Sequence, residues 1–298
     1  MYQELEKAYA EFDGHSHAVS VNTGTAALHL ALAALGVGPG DEVIVPDFTM
    51  AACGFAVAYT GAKPVFVDCK DDLTIDPELI EAKITEKTKV IMPVHIYGRL
   101  CDMPKIMQIA RRHSLFVVED ACEAQGAVFS SPADITCYSF YKNKIIAAEE
   151  GGICTTDDEL LADRMRYLKN MAFSEAHDYY HADIGFNYRM SDSQAKLALE
   201  SLNNFHLNYA KRREVEAWYD EFLAEKSMGQ RDTVWVYDVK IHFIPLQGTR
   251  HFFQPLSSFP MWKQAVGKKA RYYSQFMYLP VNPNISYEEV KDLCLKLK

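Results

Sequence analysis

The sequence predicts an α/β fold, with a mostly parallel or mixed sheet carrying helices on both faces, followed by a small α+β unit. Three observations predict it. Short apolar runs rich in Val, Ile and aromatic residues recur from Ala18 to Thr156, each about the length of a strand. Helical patterns fill several of the gaps between them. From Asp232 onward the text changes to fewer, more widely spaced candidate strands and a final helix. Alternation of this kind builds a sheet sandwiched by helices, in which ligands gather at the carboxyl ends of the strands.

The elements follow in order. Leu5, Ala8, Tyr9 and Phe12 recur at helical spacing, and Gly14 ends that helix. AVSV reads as a strand, Asn22-Thr23-Gly24 as a turn, and a helix begins at about Thr25. The turn Gly38-Pro39-Gly40 leads to the strand EVIVP, and KPVFVDC is the next. VIMPVHIYG, LFVVEDAC, ITCYSF and GGICTT are further strands, while IDPELIEAKI and MPKIMQIARRH read as helices. One long helical run spans 191–226, with Leu197, Leu202, Phe205, Trp218 and Phe222 at apolar positions. WVYDVKIHFI, TRHFFQPL and the closing helix YEEVKDLCLKL compose the small unit. This places a large domain at 1–205 and a small C-terminal domain at 206–298.

The chain has 298 residues, 49% of them hydrophobic, and a net charge of -9. That is enough apolar material for a large core. The acidic balance argues against nucleic-acid and anionic-membrane partners, yet leaves room for a local phosphate pocket. Cysteines at 53, 69, 101, 122, 137, 154 and 294 form no CxxC pair and no metal-ligand spacing, so they read as buried free thiols of a reducing compartment. The N-terminal stretch is an amphipathic helix rather than a signal peptide, and the most apolar run, 26–37, is too short to span a bilayer. The expectation is a cytoplasmic protein without a metal.

Three stretches carry candidate chemistry. NTGTAA at 22–27 presents backbone N–H groups and hydroxyls after a strand and before a helix, a weak pattern that more often makes an ordinary turn and helix cap than an anion site; it is neither GxxxxGK[ST] nor GxGxxG. Glu119 and Asp120 end an apolar strand, where a buried carboxylate needs a partner or a ligand. Lys142 and Lys144 lie in an apolar and acidic run one crossover unit later, at the same sheet edge as Asp120. An amine that loses its proton near apolar walls is a nucleophile toward an aldehyde. A phosphate nest, a carboxylate for a ring nitrogen and a lysine for an aldehyde together describe a site for pyridoxal phosphate. A Rossmann-like nucleotide binder with lysine on the phosphates is the rival, and the missing glycine fingerprint counts against it.

VNTGTAAL, VPDFTM, TGAKPVFVDC, MPVHIYGRLCDM, EDACEAQGA, CYSFYKNKIIAAEEGG, YYHADIGFNYRMSDSQAKLAL and TRHFFQPL, in this order, resemble the DegT/DnrJ/EryC1/StrS family of sugar aminotransferases. The resemblance implies a type I aminotransferase fold and pyridoxal 5′-phosphate as cofactor. It implies Lys144 as the lysine that holds the cofactor's aldehyde, with Lys142 a solvated neighbour, and Asp120 as the carboxylate at the ring nitrogen. Glu123 would lie near the ring hydroxyl, and Gly24, Thr25 and Ser139 at the phosphate. Met50 stands where the family often stacks an aromatic on the ring. Asn187 would arrive from a partner subunit, which implies a homodimer with composite active sites. Arg189 and Arg250 are anion contacts for the amino donor's carboxylate or the nucleotide's phosphates, or structural salt bridges; His95 and His181 are candidates near the mouth.

The implied activity is transfer of an amino group from glutamate to a nucleotide-linked 4-keto-6-deoxyhexose. YYHADIGFNYRM and TRHFFQPL resemble the perosamine-synthase branch, which favours GDP-4-keto-6-deoxymannose over UDP or dTDP sugars. The chain departs from the family in a short N-terminus and in segments missing before the strand at 233–239 and before Gly248. Glu149 also replaces a glycine, so its turn must avoid positive φ or bear modest strain. These departures keep open a cofactor-binding partner subunit without aminotransferase activity. A sugar dehydratase is disfavoured, because such relatives usually carry histidine at the lysine position.

Overall fold

The computed structural model describes residues 1–297 apart from 175, 177, 178 and 263. Its main sheet has seven strands: β1 (His17–Val21), β2 (Glu42–Pro46), β3 (Lys63–Val67), β4 (Thr88–Ile91), β5 (Phe116–Asp120), β6 (Ile135–Ser139) and β7 (Gly152–Thr156). They lie in the order β1-β7-β6-β5-β4-β2-β3. The run from β3 to β6 is parallel, and β7 is antiparallel to both β6 and β1. The sheet is therefore mixed, and each strand overlaps a predicted apolar run, with β1 starting at His17 and β4 at Thr88, one and two residues before theirs.

Period-two alternation explains why both faces are covered. On β2, Val43 and Val45 enter the core under α2 (Gly24–Ala34) and α3 (Ala51–Tyr59), while Ile44 faces the opposite layer. There it meets Ile106 and Ile109 of α4 (Met103–Arg112). The α5 helix (Glu159–Lys169) joins the first layer through Ala162, Met165 and Leu168. Near β1 and β6 the opposite layer is built by Leu5 and Tyr9 of α1 (Tyr2–Asp13) and by Ala195 and Ala198 of α6 (Asp192–Asn203). Gly14 ends α1 in a left-handed conformation, as predicted.

Two helical expectations are corrected. Residues 75–84 form two short 3-10 turns, Pro77–Leu79 and Glu81–Lys83. Ile75 is held in a β-bridge to Cys69, Asp76 caps the first turn, and Ile84 is already extended, so the helical stretch is confined to these short turns. The 191–226 run breaks at Asn204, whose side-chain amide donates to the Glu200 carbonyl, and α7 (Phe205–Leu223) begins after it. Leu197 is exposed rather than core.

The C-terminal sheet has β8 (Val236–His242), β9 (Arg250–His251) and β10 (Phe276–Pro280) in the order β8-β10-β9, packed against α7 and α9 (Tyr287–Leu295). The sequence reading assigned no strand to β10, although it is the central one. This unit reaches back to the main sheet. Asp47 accepts the Ser257 N–H (2.8 Å) and hydroxyl (2.8 Å) and the Gly267 N–H (2.9 Å). Asp68 accepts the first N–H groups of α8 (Lys268–Tyr273), and Trp262 lies so close to Gly54 that a Cβ there would fall 2.5 Å from its ring. Among the described residues no helix is long and apolar enough to cross a membrane.

Candidate active site

The carboxyl ends of the parallel strands open into a cavity of about 370 Å³. Its floor begins at the start of α2, where Thr23 caps the helix by accepting the Ala26 N–H at 3.0 Å. A Cβ on Gly24 would lie 2.7 Å from the Ser139 Cβ, so only glycine lets β6 approach this turn. The remaining first-turn amides, with Thr25 and Ser139 beside them, line the cavity as a cradle for an anion.

Asp120, at the end of β5, is buried but not isolated. Its Oδ1 accepts the Cys122 N–H at 3.0 Å, and its Oδ2 lies 3.1 Å from the Cys53 thiol. Glu123 is also buried, and its Oε2 accepts the Tyr97 N–H at 2.8 Å. Tyr97 holds a left-handed φ of 52°, a strained conformation that aims this amide at the carboxylate. Lys144 projects into the same space with a 10% exposed side chain, and its Nζ stands 3.8 Å from Glu123 Oε1. Its Nζ is also 3.8 Å from the centroid of the Trp235 ring. Lys142 is exposed beside Tyr141 and lies outside the cavity lining. Glu149 takes a φ of 52°, so this turn bears the left-handed strain that its sequence raised.

Burial pushes the Glu123 carboxyl up to about 7, against the pull of Lys144. In the unfolded chain it titrates near its ordinary value, so the native state holds an extra proton between the two. The stability tied to that proton is present below the unfolded pKa and is lost as pH rises through about 7. Glu123→Gln keeps an oxygen for the Tyr97 N–H and removes the buried charge. The cofactor-free variant should match the parent at pH 4 and exceed it by about 3 kcal/mol at pH 8. Urea unfolding at the two pH values checks this; an equal difference at both would overturn it.

The cavity thus brings together Gly24, Thr25, Met50, Asp120, Glu123, Ser139 and Lys144. It does not gather the remaining candidates. His95 is a correction: it is fully buried rather than near the mouth, with Nε2 2.6 Å from Glu119 Oε1 and Nδ1 accepting the Cys101 N–H. Glu119 also accepts from Thr136, so both groups are satisfied inside the sheet. His181 is exposed and bonded to the Met171 carbonyl, and Arg189 is exposed and donates to Asn170; neither lines this cavity. Arg250 is exposed on β9 and paired directly opposite Tyr278, a cavity-lining residue, so it shares that face of the sheet but is not itself part of the lining. Asn187 is exposed, bridged to Asn170, and likewise outside the cavity of its own chain.

Sequence reasoning missed Cys53, Trp235, Tyr278 and Arg212. Arg212 is 3% exposed and donates only to carbonyls among the described residues: Nη1 to Trp235 and Val281, Nη2 to Asn143 and to Lys144 at 2.9 Å. Burial lowers its pKa to about 10. It therefore ties the lysine loop to the small sheet. Arg212→Met should cost about 3 kcal/mol by removing the guanidinium donors from these buried carbonyls, of which Asn143 keeps the Trp235 indole N–H, read as a lower urea midpoint with an unchanged slope. A variant as stable as the parent would remove the tie from the fold's support.

With this geometry described, likeness to known proteins becomes informative. The profile of the DegT/DnrJ/EryC1/StrS aminotransferase family matches residues 1–247. The chain belongs to this family. GDP-perosamine synthase of Caulobacter vibrioides is 44% identical over 254 residues, which are 80% of this chain and 68% of that protein. DesV of S. venezuelae superposes with a TM-score of 0.88 at 31% identity, covering 98% of this chain and 87% of its own. The PLP form of Spr1654, a putative sugar aminotransferase of Streptococcus pneumoniae, superposes with a TM-score of 0.90 at 26% identity, covering 100% and 90%. The mixed sheet and the small C-terminal unit are thus the family's fold.

Proposed function

We propose that this aminotransferase-family chain binds pyridoxal 5′-phosphate in the cavity and moves an amino group from glutamate to a nucleotide-linked keto sugar. One observation carries the reading: a side-chain-free helix start, a buried carboxylate and a largely buried lysine face a single cavity. The donor set fits the group. The α2 amides, Thr25 and Ser139 suit its phosphate, the Asp120 carboxylate its ring nitrogen, Glu123 its ring hydroxyl and Lys144 its aldehyde. When bound, the cofactor supplies an electron-poor ring that takes up the electron pair released at the donor's Cα.

The chain's residues do the rest. Asp120 keeps the proton on the ring nitrogen. Lys144 would hold the cofactor's aldehyde and, with its amine free, would serve as the acid–base group that moves the proton at the amino donor's Cα and, in the second half-reaction, at the keto sugar. Met50 packs at the rim with a soft thioether where relatives place a ring. Asn187 serves a second copy of the chain, so the working unit is a homodimer; its exposure and its place outside its own cavity support this. Likeness to GDP-perosamine synthase favours GDP-4-keto-6-deoxymannose as acceptor, in the cytoplasm where nucleotide sugars are made.

The test begins by adding pyridoxal 5′-phosphate to the purified protein. A visible absorbance band should form, and borohydride should fix the cofactor to the peptide containing Lys144, as read by mass spectrometry. Glutamate should then bleach the band and GDP-4-keto-6-deoxymannose restore it with release of an aminosugar. A label on another residue overturns the site, a band indifferent to glutamate favours a binding-only subunit, and restoration only by UDP or dTDP keto sugars reassigns the nucleotide.

A further inference from the structure

We propose that the indole face of Trp235 is the resting place of the Lys144 ammonium whenever the cofactor does not hold that amine, which makes Trp235 a positioning residue for the lysine. The inference rests on the cofactor reading above and goes beyond it. Lys144 Nζ makes no hydrogen bond to the described residues; Glu123 Oε1, at 3.8 Å, is beyond hydrogen-bond range. The amine has two neighbours at equal distance: the Glu123 carboxyl, paired with it at 3.8 Å, and the indole, with Nζ 3.8 Å from the ring centroid. A cation over the face of Trp is held by the ring's quadrupole, more firmly than over Tyr or Phe and most firmly where water is excluded.

The ring is built to stay where it is. Trp235 is 4% exposed and forms a three-ring cluster with Tyr97 and Tyr278, at centroid distances of 6.0 and 5.9 Å. Its Nε1–H donates to the Asn143 carbonyl at 3.2 Å, and Arg212 Nη2 donates to that same oxygen. The ring, which stands just before β8 in the small unit, is thus registered to the backbone immediately before the lysine. If the loop shifts, the indole shifts with it, and the amine keeps its seat.

The consequence is an asymmetry between the two forms of the cofactor. The aldehyde form takes the Lys144 amine away from the ring, so that complex forfeits the cation–π contact. Pyridoxamine 5′-phosphate carries its own amine and leaves the lysine on the ring. The indole therefore stabilises the cofactor-free protein and the pyridoxamine complex, but not the pyridoxal complex. Removing it should favour pyridoxal 5′-phosphate over pyridoxamine 5′-phosphate by about three- to tenfold.

Calorimetric titration of each form into parent and Trp235→Leu protein reads this as the ratio of the two Kd values. A purely structural role for the indole would weaken both equally and leave the ratio where it was. Trp235→Phe keeps an aromatic face while losing the Asn143 contact, so it should shift the ratio in the same direction by less; it decides the matter if the Leu variant does not fold. In a Lys144→Ala background no cation remains, and Trp235→Phe should not move the ratio. An unchanged ratio in both single variants, or the same shift without the lysine, overturns the proposal while the cofactor assignment stands. Failure of pyridoxal 5′-phosphate to label Lys144 in the parent overturns the assignment itself.

Discussion

Lys144→Ala slows amino transfer by about 10⁴-fold or more, while the protein folds and still takes up cofactor through its phosphate. The expectation follows from position. Among the described residues Lys144 is the one lysine lining the cavity, and its neighbours Asp120 and Glu123 are carboxylates fixed by backbone amides. An amine so placed does two jobs, anchoring an aldehyde and carrying a proton between two carbons, and loss of a positioned acid–base group alone costs about 10²–10⁴ in rate. Lys142→Ala is the control: that side chain is exposed outside the cavity, and its variant should turn over like the parent. Single-turnover rates of the cofactor's spectral change with glutamate make the comparison. A Lys144→Ala rate near the parent's would remove this residue from the chemistry.

Asp120→Asn is the second large effect, a loss of about 10²–10³ in kcat. Asparagine is nearly isosteric, so its side chain can keep an oxygen toward the Cys122 N–H and stay beside the Cys53 thiol. What it cannot do is supply the negative charge that holds a proton on the ring nitrogen. Cofactor retention should therefore fall much less than turnover, because the phosphate cradle at α2 is untouched. Equilibrium dialysis beside steady-state kinetics separates the two. If binding and kcat fell together, Asp120 would be a structural support; if neither changed, its carboxylate would have no part in the reaction.

Much of the site was legible because it is locally encoded. Asn22-Thr23-Gly24 combines a strand end, a cap and a glycine within a few residues, and the structure places a capped helix start there. Asp120 and Lys144 follow apolar strand runs, and parallel pairing of β5 and β6 brings those ends to one edge. The choice of Lys144 over Lys142 came from the family's spacing, and the structure separates the two by burial. His95 went wrong for the opposite reason. A lone histidine after a strand gives no sign of whether it faces the cavity or the sheet interior, and its partner Glu119 is 24 residues away.

The sequence by itself determined the strands of the main sheet, the ends of several capped helices and the kinds of chemistry held at the turns, because these depend on neighbours within a few residues. Tertiary structure alone decided which distant groups complete the site. Trp235 reaches the Asn143 carbonyl across 92 residues, Arg212 reaches Lys144 across 68, and Ser257 reaches Asp47 across 210. Local pattern specifies that a face is apolar or that a donor is unpaired. It does not specify which remote element arrives to cover that face or accept that donor, since that choice is made by how the whole chain packs.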